Sequence, residues 1–141
     1  MAHVLVIDDS SAERERVRAL LVENDHSFSF VNHPTEALEK IVNAVPDALL
    51  INVSLPEFDA AGFIETVRSK SARLPIVLMS SMGNEKSVIE SLQRGASSYV
   101  PRDVLEQELP ATLSDVLAYS REQDCQFRML AQMCELRCQF Q

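Results

Sequence analysis

Short apolar runs alternate with amphipathic segments along this chain, the pattern of a parallel sheet covered by helices on both faces. The first run, His3 to Ile7, is almost wholly apolar, as expected of a strand buried on both sides. Ser10 or Ser11 then caps a helix whose inner face is Val17, Leu20 and Leu21, while Glu13, Arg14, Glu15, Arg16 and Arg18 stay wet. Phe28 to Val31 reads as a second strand. Pro34 suits the first turn of the next helix, with Ala37, Leu38, Ile41 and Val42 as its buried stripe. Ala48 to Ile51 is a third buried strand ending at Asn52, and Pro56 blocks its continuation. A helix with Phe63, Ile64 and Val67 inward follows, then a strand from Ile76 to Met79 ending at Ser80. Gly83 and Asn84 turn the chain into a helix with Val88, Ile89 and Leu92 on its apolar face; Gly95 closes it, and Ser98 to Val100 is a short fifth strand.

Five strands and four helices are thus complete by about residue 103. Beyond Arg102, Leu113, Val116 and Leu117 continue at helical spacing, and Phe127, Leu130, Met133 and Cys134 repeat it; Pro110 is expected to open this segment. The division expected is 1–120 for the domain, including most of the fifth helix, and 121–141 for a helical extension that dimerises or links to an output domain. Ser120 and Gln123 fall at core positions of the heptad, so a strong coiled coil is not established.

A doubly wound parallel sheet gathers its functional groups at the carboxyl ends of its strands. Here those are Asp8 and Asp9, Asn52, Ser80 and Arg102. The 141 residues make one domain, and a net charge of -8 without a basic run argues against nucleic acid and anionic membranes as partners. No apolar run is long enough to span a bilayer, and the first residues lack a signal-peptide core, so the expected location is cytoplasmic. The three cysteines, Cys125, Cys134 and Cys138, read as reduced thiols, because no nearby residues complete four metal ligands. His3, His26 and His33 read as structural or exposed.

Five fragments carry a family resemblance: Val4-Leu5-Val6-Ile7-Asp8-Asp9-Ser10, Pro46-Asp47-Ala48-Leu49-Leu50-Ile51-Asn52, Leu55-Pro56-Glu57-Phe58-Asp59, Met79-Ser80-Ser81 and Gly95-Ala96-Ser97-Ser98-Tyr99. In that order and at those strand ends, they resemble the receiver (CheY-like) domain of two-component response regulators, from residue 3 to about 103. The resemblance implies a flavodoxin-like, five-stranded α/β fold with strand order 2-1-3-4-5 and an extended C-terminal helix. It also implies Mg²⁺ held by Asp8, Asp9, the side chain at 52 and the backbone carbonyl of Ser54. Asn52 stands at the phospho-acceptor position, Ser80 and Tyr99 match the switch pair, and Arg102 matches the lysine that pairs with carboxylate or phosphate.

The departures shape the functional reading. An amide lacks the charge and the free carboxylate oxygen needed to form an acyl phosphate, so Asn52 is not a nucleophile, and losing one of three clustered charges weakens Mg²⁺ binding. Arg102 reaches differently from a lysine, Asp103 stands where the family usually has proline, and Ala60 replaces a common turn glycine. Arg102 is expected to pair with Asp9 or to contact Asn52. The expected function is non-enzymatic: signal transduction through contact with a protein partner (a sensor kinase, an output domain or a downstream regulator), with homodimerisation through the C-terminal helix. Two alternatives stand beside it. One is an ordinary phospho-accepting receiver carrying an engineered Asp-to-Asn change, and the other is a small Mg²⁺-dependent phosphoryl-transfer enzyme. No organic cofactor is expected, since no glycine-rich loop follows the first strand.

Overall fold

A computed structural model describes residues 2–55, 57–81 and 83–121. The elements run β1 His3–Ile7, α1 Ser11–Glu23, β2 Ser27–Val31, α2 Pro34–Asn43, β3 Ala48–Asn52, α3 Ala60–Lys70, β4 Ile76–Ser80, α4 Glu85–Gln93 and β5 Ser98–Pro101. A 3₁₀ turn, Arg102–Val104, leads into α5, residues 105–121. All strand pairs are parallel, in the order β2-β1-β3-β4-β5, as the resemblance implies. Among the described residues no helix is long and apolar enough to cross a membrane.

Side chains alternate across each strand, so one apolar sequence supplies two cores. Leu5, Ile7, Leu49, Ile51, Ile76 and Leu78 face α2, α3 and α4. Val4, Val6, Leu50, Val77, Met79 and Val100 face α1 and α5. Every residue of β3 and β4 is buried, which is why these strands read as continuous apolar runs.

Local chemistry sets the helix ends. The Ser10 side chain accepts from the Glu13 backbone N–H and caps α1; Pro34 occupies the first turn of α2; the Asp59 carboxylate accepts from the Gly62 N–H at 3.1 Å and caps α3. Gly95, just past α4, has φ +120, and a Cβ there would meet Arg68 Nε at 3.0 Å. That guanidinium donates to the carbonyls of Gly95, Ser71 and Leu74, fastening the α4–β5 turn to the end of α3. Burial lowers the Arg68 pKa.

Three expectations need correction. Val42 and Ile89, assigned to buried stripes, are 62% and 55% exposed, because each follows a core residue, Ile41 or Val88, by one position and is turned about 100° away from it. Pro110 does not open α5 but lies inside it. The helix is anchored upstream by Leu105 and Leu109, which continue as an i, i+4 ladder through Leu113 and Leu117 against the β-sheet face shared with α1. The apolar positions expected at Phe127, Leu130, Met133 and Cys134, the remaining cysteines and the extension 121–141 beyond its first residue lie outside the described residues.

Candidate functional site

Asp8, Asn52 and Ser80 end three neighbouring strands, and all three side chains are buried. The Asp8 Oδ1 atom accepts from the Ser10 backbone N–H at 3.0 Å and from Asn52 Nδ2 at 3.1 Å. Asn52 Oδ1 in turn accepts from the Ser54 N–H at 2.9 Å. The amide is thus used at both ends, as a donor to a carboxylate and as an acceptor from the backbone, a role no ionised carboxylate can fill. Asp8 Oδ2 is buried and has no hydrogen-bond partner among the described residues. Asp9, next in sequence, is exposed.

The loops around this pocket are tied to one another. Ser54 Oγ lies 3.2 Å from Ser81 Oγ, and Asn84 Nδ2 donates to Ser54 Oγ, linking the turn after β3 to the turn after β4. Arg14 Nε donates to the Asp8 carbonyl at 2.8 Å, and its guanidinium lies over the Phe30 ring. In the turn after β3 the left-handed residue is Glu57, with φ 54, whereas Ala60 simply opens α3 and is buried. Non-glycine residues in this conformation carry strain of roughly 1 kcal/mol.

Arg102 is brought to the same end of the sheet, but its partner is neither Asp9 nor Asn52. Its Nη1 lies 4.0 Å from Glu13 Oε1, and its Nε and Nη2 are buried without partners among the described residues. The reason is packing. Capped by Ser10, the first turn of α1 holds Glu13 half-shielded beside the end of β5, while Asp9 is open to water and Asn52 already has its bonds. Arg16 completes this cluster by donating to Glu13, to the Arg102 carbonyl at 2.8 Å, and to both carboxylate oxygens of Glu106 at 2.7 and 2.9 Å. The hydrogen bond from Arg16 holds the exposed Glu106 carboxyl at about 2, below its usual 4.5, and the same bond raises the Arg16 pKa. Tyr99, the other expected switch residue, is 46% exposed on β5 and lies with Ser80 along a groove beside α4.

The donor set fits Mg²⁺ in part. A buried carboxylate oxygen without a donor, Asp8 Oδ2, next to a second acid is the hard-oxygen chemistry that ion takes. Asn52 contributes no charge and turns its NH₂ toward Asp8. Among the described residues no group of three or more acidic, His or Cys side chains is placed to hold a metal. Asp8 is the residue best placed to hold the ion, which when bound would supply positive charge to offset its buried carboxylate.

Comparison with known proteins agrees with this geometry. The family model described as "Response regulator receiver domain" matches residues 4–114, and the chain belongs to that family. Among curated relatives, Response regulator MprA of Mycobacterium avium (strain 104) is 31% identical over 121 residues, covering 86% of this chain and 53% of that protein. The same-named protein of Mycobacterium bovis (strain BCG / Pasteur 1173P2) is 29% identical over 133 residues, covering 94% and 58%. The chain therefore spans little more than half the length of these relatives. Among solved structures, a putative response regulator from Chloroflexus aurantiacus superposes with TM-score 0.77 at 27% identity, covering 83% of this chain and 98% of that one. A CheY-like receiver domain protein from Methanospirillum hungatei gives 0.79 at 18% identity, covering 87% and 98%, a likeness of fold alone.

The strand-end signal in the sequence points to Asp8, Asp9, Asn52, Ser80 and Arg102. Sequence reasoning misses Glu13, Arg16, Glu106 and the Ser54–Ser81–Asn84 contacts. Glu13 and Arg16 are visible as an i, i+3 pair, but nothing local announces their partners far along the chain.

Proposed function

We propose that this chain is a receiver that signals without phosphorylation at position 52, through protein contacts on the face formed by α4, β5 and α5. The observation that carries this reading is the amide of Asn52, donating to Asp8 and accepting from Ser54 in a pocket that otherwise keeps the family's acid and hydroxyl positions. Phosphoryl transfer to an aspartate needs an ionised oxygen as nucleophile, and the amide has none. Asp8 and Asp9 retain the chemistry for a weakly held Mg²⁺. Partners in a phosphorelay, a sensor kinase, an output domain or a downstream regulator, and a cytoplasmic location follow from the family.

The experiment is to offer the purified chain acetyl phosphate with Mg²⁺, and separately a phosphorylated sensor kinase, and to record intact mass. No acid-stable or acid-labile phosphoryl adduct is expected. Transfer to the wild-type chain at the 52 position would refute the reading. In parallel, Asn52→Asp tests whether the surrounding site is still competent: robust phosphorylation accompanied by a conformational shift at Ser80 and Tyr99 would count against a degenerate site.

A further inference from the structure

We infer that β2 is a self-pairing edge, through which two copies of this chain join antiparallel strands about a two-fold axis at Ser29 into one continuous sheet. This goes beyond the reading of position 52 and does not depend on it. Among the described residues β2 has one neighbour, β1, and its register from Ser27 to Val31 runs without a bulge. The Ser27 N–H donates to the Ala2 carbonyl, and the Val31 carbonyl accepts from the Asp8 N–H, so by strand alternation Ser27, Ser29 and Val31 bond inward to β1. The backbone N–H and C=O groups of Phe28 and Phe30 therefore point outward along the open edge. Ser27–Val31 contains none of the charges or prolines that keep edge strands from pairing.

The sequence about the axis, Phe28-Ser29-Phe30, reads the same in both directions. Antiparallel pairing centred on Ser29 sets Phe28 of each copy opposite Phe30 of the other, and their outward peptide groups bond each other in pairs. The half-buried rings, edge-to-face at 5.4 Å within one chain, then meet their counterparts on the α1 side of the sheet. Ser29 meets its own copy on the other side, where its hydroxyl lies 3.2 Å from His3 Nε2. Reversal also suits the charges that flank the edge. Glu23 and Asp25 precede β2, with His26 accepting from the Ala2 N–H, while Arg14, over the Phe30 ring, and His33 stand at its end. Acid of one copy is thus brought toward base of the other. Arg18, one turn from Arg14, approaches its own copy, and Glu15 pairs with it at 3.6 Å on the same helix. On the α2 side the exposed Glu36, Glu39 and Lys40 are of mixed sign. The contact is short, so the dimer belongs to the weak, concentration-dependent class.

Sedimentation velocity of the full chain across a concentration series is expected to show a monomer–dimer equilibrium, and amide exchange at Phe28 and Phe30 to slow as the dimer fills. Ser29→Glu and Ser29→Lys each place like charges on the axis and should weaken self-association on the order of tenfold or more. Mixed in equal amounts, the two variants should pair again with at least wild-type affinity, because opposite charges then face each other across the axis. Circular dichroism establishes that both variants are folded. A wild-type monomer at every concentration would overturn the inference. So would a dimer that both variants leave intact, or one that their mixture does not restore, since such a dimer joins elsewhere on the chain. The exchange measurement needs no variant: rates at Phe28 and Phe30 that stay constant while the wild-type chain dimerises would equally overturn it.

Discussion

A carboxylate at position 52 would face the Asp8 oxygen to which the Asn52 amide now donates at 3.1 Å. At an effective dielectric near 20, two full charges at that distance repel by about 5 kcal/mol, and relaxation leaves part of this. Asn52→Asp is therefore expected to lower stability in urea unfolding by about 2 kcal/mol in Mg²⁺-free buffer at pH 7, with much of the loss recovered on adding Mg²⁺. The sign with pH follows: like charge raises one carboxyl pKa in the folded variant, so the penalty exists where both acids are ionised and fades as pH falls through that raised value. An equal deficit with and without Mg²⁺, at pH 7 and at pH 4, would show that the two side chains do not share a pocket. The meeting of these residues is legible in the sequence because each ends a strand of one parallel sheet, and strand ends converge by topology. The partner of Arg102 is not legible. Whether its guanidinium turns to Asp9 or to Glu13 depends on how α1 packs beside β5, which no local pattern encodes.

Among the elements, α5 is held in two ways. Leu105, Leu109, Leu113 and Leu117 bury one stripe, and Arg16 clasps Glu106 at the helix's outer edge. Leu109 is fully buried, so Leu109→Ala should cost about 3 kcal/mol in chemical denaturation, whereas Ile89→Ala on the exposed side of α4 should cost well under 1. The Glu106 contribution has a defined pH window. Its folded pKa is depressed to about 2, so the stabilisation is present above the usual value near 4.5 and is lost as pH falls from there toward 2. Glu106→Gln should flatten that part of the stability profile, and because Glu106 is exposed, added salt should narrow the difference between variant and wild type at neutral pH. The helix itself is readable from its 3.6-residue period, but its start is not. Pro110 looks like an opening residue, and only the burial of Leu105 and Leu109 shows the helix already under way before it.

On the scale of the whole molecule, one sheet separates two cores, and each strand contributes to both through its alternating side chains. That architecture is legible from the fully apolar central strands, which make sense only if both faces are covered. Sharing strands also couples the halves: α5 cannot leave without exposing Val4, Leu50 and Val77, whose neighbours Leu5, Leu49, Ile51 and Ile76 form the other core. Unfolding should accordingly be a single cooperative step. The chain provides a direct check, since it has no tryptophan and two tyrosines, Tyr99 on β5 and Tyr119 on α5. Tyrosine fluorescence therefore reports on β5 and α5 at one edge of the molecule, while far-ultraviolet circular dichroism averages over every helix. The two urea transitions are expected to coincide in midpoint and slope. If the fluorescence transition came first, α5 and β5 would be releasing as a separate unit, and the coupling drawn between the two cores would be wrong.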